Sequence, residues 1–326
     1  NTGATYSGGD GSQANPYIIG SATDFAQFAK NTTSKNYRDT YFKLDVDINL
    51  NDKPWTPTGN FAGVFDGQHH KITGLKVSIA DYRVGLFSQI DAGSGPNASV
   101  SNLHVSGDVE NTSPTVYYAA GGICGLHDGV ITNCSFSGSV RGVGLVGGIA
   151  GECNGKIISC KSTASVFGKY AGGIAGRNSS GKCSIYGCYN EGVIETEGGN
   201  AGGIYGKDDG FDFDIKGCYN IGTVQGRQGG EVLGAITSSS ASGSSVMASC
   251  YVREKYAIAH ATEETVFGSS DWPTSTNNTV WYADPSNDGT YTAGSDGVPT
   301  GNYKFWKSLG SWNGGTPEYP KLWWEE

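Results

Sequence analysis

The sequence predicts an all-β chain. The expected fold is a right-handed parallel β-helix, or β-solenoid, of about seven rungs, with a helix-containing cap at the N-terminus and an aromatic-rich cap at the C-terminus. Three observations predict it: a repeat of about 30 residues, alternation of apolar and polar residues inside each repeat, and glycines at fixed positions. A repeat of this length cannot bury its own apolar face, which is typical of one rung of a solenoid.

The repeat is clearest in a series of cysteines with separations of 26, 28, 30 and 32 residues: Cys134, Cys160, Cys188, Cys218 and Cys250. Leucine takes the same position in two earlier copies, at Leu75 and Leu103. A site that accepts either residue needs a modest apolar volume rather than a thiolate, so we expect these cysteines to be buried free thiols. The other three, Cys124, Cys153 and Cys183, lie outside the series, and the sequence leaves open whether two of them form a disulfide.

Each rung contains three short segments of the form Ile-x-x-Cys, Gly-x-Val and Gly-Ile-x-Gly. Alternation with a period of two, interrupted by glycine, predicts strands rather than helices. We expect the glycines to supply positive-φ corners and to let the backbones of neighbouring rungs approach closely. Stacked strands lie ~4.8 Å apart, so seven rungs would form a rod roughly 30–35 Å long.

The repeat divides the chain into an N-terminal cap at residues 1–60, a solenoid at 61–255 and a C-terminal cap at 256–326. In the first cap, Phe25 and Phe28 have helical spacing, and either Ser21 or Thr23 can cap the helix. A helix in this place would cover the unpaired edge of the first rung.

The C-terminal region contains six of the seven tryptophans: Trp272, Trp281, Trp306, Trp312, Trp323 and Trp324. Two interpretations stay open for them. Their rings could cover the last rung as a hydrophobic cap, or they could form a face that stacks against sugars. The candidate residues for glycan binding are Trp272, Trp281, Trp306 and Trp312.

Composition narrows the classes of partner. The net charge of −9 without a basic stripe argues against nucleic-acid binding. No run of about 18 apolar residues occurs, so we expect no membrane span in this chain. The chain begins at Asn1 without methionine, which is expected for a processed or trimmed form whose export signal would be missing. We expect a monomer.

Several segments resemble a known family. Gly147 to Gly151 and Gly172 to Gly176 look like the GLUG motif, and Phe61 to Leu75 is similar to the opening rung of proteins that contain it. Asn15 to Ile19 and Tyr319 to Trp324 resemble the two ends of such proteins. The resemblance implies an adhesin-like, β-helical surface module exported by bacteria of the Bacteroides type. It implies no catalytic residues, because the shared motif is structural.

No complete catalytic or cofactor motif is visible in the sequence. The five histidines are scattered, no nucleophile triad is evident, and no cysteine pair has zinc-ligand spacing. The candidate metal site is an acidic loop whose carboxylates could bind calcium or could simply be solvated: Asp208, Asp209, Asp212 and Asp214. We expect no other cofactor.

These observations favour a secreted or cell-surface, adhesin-like binding protein that is not an enzyme. Its expected partner is an extracellular glycan or a protein on the surface of a host or neighbouring cell. Stacked rungs present a long repetitive face that suits multivalent attachment. Two alternatives stay open: a polysaccharide lyase or hydrolase built on a β-helix, and a structural spacer that holds another domain away from the cell.

Overall fold

The computed structural model describes residues 6–91, 98–207, 210–228, 232–238, 245–254, 264–273 and 305–326. These residues form one α-helix and a set of short β-strands, nearly all of which pair in parallel. The strands stack into a β-solenoid, which confirms the predicted fold class. Two of its sheets contain six strands each, so the solenoid has about six turns, one fewer than the sequence suggested.

Four parallel sheets run along the solenoid, and we name them A to D. Sheet A contains Tyr17–Ile19, Tyr41–Leu44, Val64–Asp66, Ser99–Ser101, Val130–Thr132, Lys156–Ile158, Cys183–Tyr186, Phe213–Lys216 and Val246–Ala248. Sheet B contains Ile48–Asn49, Lys71–Ile79, His104–Asn111, Ser135–Gly142, Lys161–Ser162, Ser165–Phe167, Tyr189–Asn190, Val193–Thr196, Tyr219–Asn220, Thr223–Gly226, Cys250–Val252 and Glu264–Val266.

Sheets C and D are the two six-stranded sheets. Sheet C contains Thr58–Phe61, Phe87–Ile90, Cys124–His127, Ala150–Cys153, Ala175–Arg177 and Tyr205–Lys207. Sheet D contains Arg83–Val84, Ala119–Gly121, Leu145–Gly147, Tyr170–Gly172, Asn200–Gly202 and Val232–Gly234. In each turn the chain passes through sheets A, B, D and C in that order, as residues 130–153 illustrate.

The corner between sheets A and B is made by one residue in the left-handed region, directly before the leucine or cysteine of the repeat. Its φ lies between 52° and 60° in six turns, at Asn102, Asn133, Ser159, Gly187, Gly217 and Ser249. In the turn before them, two residues take this conformation, Gln68 and His69. The expectation that Leu75 occupies the same position as Leu103 was wrong, because the register pairs Lys71 with His104 and Leu75 with Gly107. Small or hydrogen-bonding residues suit this conformation, in which a Cβ atom costs roughly 1–2 kcal/mol. The positive-φ corner therefore lies between sheets A and B. We expected it at the Gly-Gly-Ile runs, and that expectation was wrong.

The glycines of the Gly-Gly-Ile runs are required by close approach instead. A Cβ atom on Gly148 would collide with the carbonyl oxygen of Gly173 in the next turn and with the side chain of Ser162. A Cβ atom on Gly147 would collide with the carbonyl oxygen of Ala150. This part of the expectation is correct, because neighbouring backbones meet at these runs without space for a side chain.

The cysteines of the repeat form a buried ladder of free thiols, as predicted. The amide N–H of Cys160 donates to the Sγ atom of Cys188 in the next turn at 3.3 Å, and the amide N–H of Cys188 donates to Cys218 at 3.4 Å. Burial raises the pKa of the Cys134 and Cys188 thiols, which keeps these groups protonated.

The three cysteines outside the series differ in their bonding state. Cys153 and Cys183 form a disulfide across adjacent turns, with their Cα atoms 5.3 Å apart. Cys124 is buried and free. The disulfide therefore joins the end of a sheet C strand to the start of a sheet A strand.

The helix Ala22–Thr32 covers the start of the solenoid. Ser21 caps it, because its hydroxyl accepts a hydrogen bond from the amide of Asp24 at 3.1 Å. Phe28 packs against Phe61 and other rings of the first turns, and Thr32 accepts from the amide of Gly59, on the first strand of sheet C, at 2.9 Å. The helix thus pairs with backbone that the first turn would otherwise leave open.

The C-terminal segment 305–326, which we call the strap, lies along the outer side of sheets A and B. It contains the antiparallel strands Trp306–Ser308 and Lys321–Leu322. Phe305, Trp306 and Leu322 form a second hydrophobic cluster with side chains that point outward from the solenoid. The aromatic cluster predicted at the C-terminus is present, but its described part covers the flank of the solenoid rather than the end.

We predict that Gly148→Ala lowers the free energy of unfolding by about 2–3 kcal/mol, because the new methyl group must displace backbone of the next turn. Gly142→Ala is the matched control, since its Cβ atom would meet its nearest neighbour at an ordinary 3.4 Å. Denaturant unfolding of both variants provides the measurement. Equal stability of the two would show that the turns do not approach as closely as described.

We predict that Ser159→Gly raises the free energy of unfolding by about 0.5–1 kcal/mol. Glycine relieves the left-handed backbone, and the buried Ser159 hydroxyl has no hydrogen-bond partner among the described residues. Thermal unfolding measures the change. A less stable variant would mean that the hydroxyl is satisfied in solution.

We predict six titratable thiols in the denatured, unreduced protein and eight after reduction, because one disulfide and six free cysteines are present. A thiol-reactive chromophore in denaturant gives both counts. Eight thiols before reduction would exclude the Cys153–Cys183 disulfide, and fewer than five would exclude a reduced ladder.

Candidate functional site

A column of side chains points outward from sheet B along the solenoid. The strand register aligns one residue from each of seven strands of sheet B: Lys71, His104, Ser135, Lys161, Tyr189, Tyr219 and Tyr251. From Ser135 onward each of them directly follows a cysteine of the buried ladder, and its side chain faces the opposite way because strand side chains alternate. We call this column the outer ladder.

The strap docks on the outer ladder through hydrogen bonds as well as apolar contacts. The indole Nε1 of Trp324 donates to the carbonyl oxygen of Ser159 at 2.8 Å. The indole Nε1 of Trp323 donates to Oδ1 of Asn133 at 3.1 Å. The Tyr219 hydroxyl donates to the carbonyl oxygen of Pro320 at 2.6 Å. Two of these partners, Ser159 and Asn133, are left-handed corner residues, so the strap binds along the corner between sheets A and B.

Glu325 connects the strap to the middle of the outer ladder. Its Oε1 atom lies 2.8 Å from Nζ of Lys161 and accepts a hydrogen bond from the Tyr189 hydroxyl at 2.6 Å. Its Oε2 atom accepts from the amide of Leu322 at 2.8 Å. Burial, with Tyr219 and Glu325 close by, raises the pKa of Tyr189 well above its ordinary value, so this hydroxyl stays a donor.

Two histidines that are far apart in the sequence meet below the strap. Nδ1 of His69 lies 3.2 Å from Nε2 of His104, and Nδ1 of His104 lies 2.9 Å from the Ser135 hydroxyl. The His104 ring packs on Trp324 with 4.7 Å between centroids. Burial, with smaller effects from His69, Lys71 and Lys161, lowers the pKa of His104 to about 4.

A cleft of about 680 Å³ opens between the strap and the outer ladder. Its walls combine ring faces with charged groups of both signs, including Tyr219, Tyr319, Trp324, Lys71 and Glu191. The volume lies within the roughly 300–1,000 Å³ range of small-molecule sites. We call it the lateral cleft, and it can accept a ligand that offers both apolar faces and hydrogen-bonding groups.

The four tryptophans predicted to bind glycan have different environments. Trp306 is fully buried and packs on Tyr219, so its ring is not available to a ligand. Trp272 is half-buried and donates from Nε1 to the carbonyl oxygen of Leu309 at 2.7 Å, while Trp312 lies 6.3 Å from it, centroid to centroid. Trp281 lies outside the described residues. The structure therefore places Trp324, rather than the three described candidates, in the wall of a cleft.

The acidic loop is only partly described. Asp208 and Asp209 lie outside the described residues, and Asp212 is half-buried. Asp214 is buried, accepts from the Tyr186 hydroxyl at 2.9 Å, and lies 3.3 Å from Nζ of Lys216. In the described part of the chain, no three His, Cys, Asp or Glu side chains are grouped to hold a metal ion. Calcium binding by this loop stays a prediction.

The outer ladder and the histidine pair were not predicted from the sequence. A signal for the ladder was present, because the residue after each cysteine reads Ser, Lys, Tyr, Tyr and Tyr. The sequence gives a weaker signal for the pairing of His69 with His104, since this contact depends on how many residues separate the two turns.

Comparisons with known proteins agree with this architecture. Residues 116–141 match the GLUG motif. The chain carries the GLUG motif. It is also 30% identical over 154 residues to halomucin from Haloquadratum walsbyi, a match that covers 41% of this chain and 2% of halomucin.

A solved structure is similar over most of the chain. The protein, from Bacteroides ovatus, is provisionally called an immunoglobulin A1 protease. The TM-score is 0.61 and the sequence identity is 25%, with 80% of each chain covered. The GLUG motif and this neighbour together confirm the β-helical family resemblance. Among the described residues of this chain, no helix is long and apolar enough to cross a membrane.

We predict that stability falls as the pH is lowered from 6.5 towards 4, and that His104→Asn makes this dependence shallower. Between the unfolded pKa of 6.5 and the folded pKa of about 4, the unfolded state binds more protons, so acid favours unfolding. His127, whose pKa burial also lowers to about 4, stays in the variant and preserves part of the slope. Urea unfolding at several pH values measures how the free energy of unfolding depends on pH in both proteins. An unchanged slope would place His104 in solvent.

Proposed function

We propose that this chain is an exported, adhesin-like binding protein that attaches to an extracellular glycan or to a protein on a host or neighbouring cell. We further propose that it acts without catalysis, as a monomer and without a resident cofactor. The lateral cleft is the observation that carries the proposal. Stacked turns of the solenoid also suit repeated weak contacts along one long surface.

The chemistry of the lateral cleft favours a glycan over a purely apolar ligand. Sugar rings present C–H faces that pack on aromatic rings and hydroxyl edges that both donate and accept hydrogen bonds. Tyr319 and Trp324 supply ring faces, while Glu191 and Lys71 supply an acceptor and a donor at the rim. Because the strap and the outer ladder hold each other through Glu325, the cleft is largely formed before a ligand arrives.

Export is supported by resemblance. The match to the GLUG motif at residues 116–141 supports the resemblance to exported surface proteins of bacteria that the sequence suggested. The chain spans only 2% of halomucin, so nothing of that protein's role is transferred to this one. The name of the Bacteroides ovatus neighbour mentions a protease, but the likeness concerns the fold and carries no catalytic residue to this chain.

The test is binding of the purified chain to a glycan and polysaccharide array with calcium present. We expect specific binding that Tyr319→Ala, in the cleft, reduces at least tenfold. Trp312→Ala is the matched control, because that ring is half-buried and is not part of the cleft wall. Loss of binding in the control alone would move the site to the sequence-predicted tryptophans. Shortened or unsaturated products from any polysaccharide would refute the non-catalytic role.

A further inference from the structure

A second, smaller depression adjoins the lateral cleft on the outer face of sheet B. Its volume is about 200 Å³, and hydroxyl side chains dominate its lining: Thr73, Ser106, Ser135 and Ser137. Lys71 and His104 complete the polar part of the wall. We call this depression the hydroxyl trough.

The trough and the cleft form one groove along the solenoid. They share Lys71, His104 and Ser135, which the register aligns on three consecutive strands. Because neighbouring strands lie ~4.8 Å apart, the part of the groove on these three strands alone spans ~10 Å. A ligand that fills both parts must therefore be an extended chain rather than a single sugar.

The charged side chain in the wall of the trough is positive. Lys71 is exposed and forms no ion pair among the described residues. The carboxylate of Asp47, beside the backbone of Lys71, is already engaged, since its Oδ1 atom accepts from the backbone amide of Lys71 at 2.9 Å and lies 3.0 Å from Nδ1 of His70. The residues that line the trough include no carboxylate. An anionic group placed here would meet one unpaired ammonium and several hydroxyl donors.

We propose that the ligand is an acidic polysaccharide whose chain runs from the lateral cleft into the hydroxyl trough, where a carboxylate or sulfate group pairs with Lys71. The proposal rests on the proposed function, because it names the glycan class for the same groove. The trough hydroxyls hydrogen-bond the sugar hydroxyls and the anionic group. His104 is neutral at pH 7 and is held by Ser135, so it keeps this wall in place without adding charge.

The experiment measures binding of the intact chain to polygalacturonate, dextran sulfate and neutral dextran at pH 7 and fixed salt. Polygalacturonate distinguishes a carboxylate from the sulfate of dextran sulfate. We expect binding to at least one acidic polymer, a loss of tenfold or more in Lys71→Gln, and no comparable loss in Lys76→Gln. Lys76 is the matched control because it is exposed on the same strand, Lys71–Ile79, but lies outside the trough.

The possible outcomes distinguish the acidic-polysaccharide inference from the proposed function. Equal losses in both lysine variants would overturn the inference, because binding would then follow net charge rather than the trough. Binding to neutral glycans alone would overturn the inference and leave the proposed function standing. Binding to no glycan at all would count against both.

Ser137→Asp places a carboxylate in the trough and should abolish binding to acidic polymers. Unchanged binding in that variant would also overturn the inference.

Discussion

The close parallel stacking of successive turns is the constraint on which the rest of this structure depends. Adjacent strands must stay in register at ~4.8 Å for their backbone groups to pair, so each position in a turn meets its own equivalent above and below. The Gly-Gly-Ile runs satisfy this constraint by having no side chain where backbones meet, as at Gly148. The left-handed corner satisfies it by turning the chain within one residue, as at Asn133.

The same register builds the functional surface. When inward positions align into a ladder of cysteines, the outward positions next to them align as well, and the outer ladder follows from this geometry. Its tyrosines give the strap an apolar surface to cover, while Lys161 and Tyr189 give Glu325 a polar anchor. The cleft exists because the strap covers the upper turns and leaves the groove open towards Lys71.

The parts of this fold that could be predicted are those that repeat. Alternation, repeat length and the exchange of leucine for cysteine predicted strands, a solenoid and buried thiols, because each depends on a local pattern that recurs. The path of the strap could not be predicted in this way, since its contacts join residues such as Lys161 and Glu325 that are 164 positions apart. The corner was misplaced because glycine satisfies either close approach or positive φ, and sequence alone does not tell which one applies.

The strap docks on the outer ladder and thereby forms the groove. Hydrogen–deuterium exchange of the intact chain tests it directly, because the amide of Trp323 is bonded to the carbonyl oxygen of Phe305 and the amide of Glu325 to that of Leu322. We expect slow exchange in residues 305–326, and faster exchange there when Glu325 is replaced by alanine. Exchange of this segment at the rate of an unstructured peptide in the unmodified chain would contradict it.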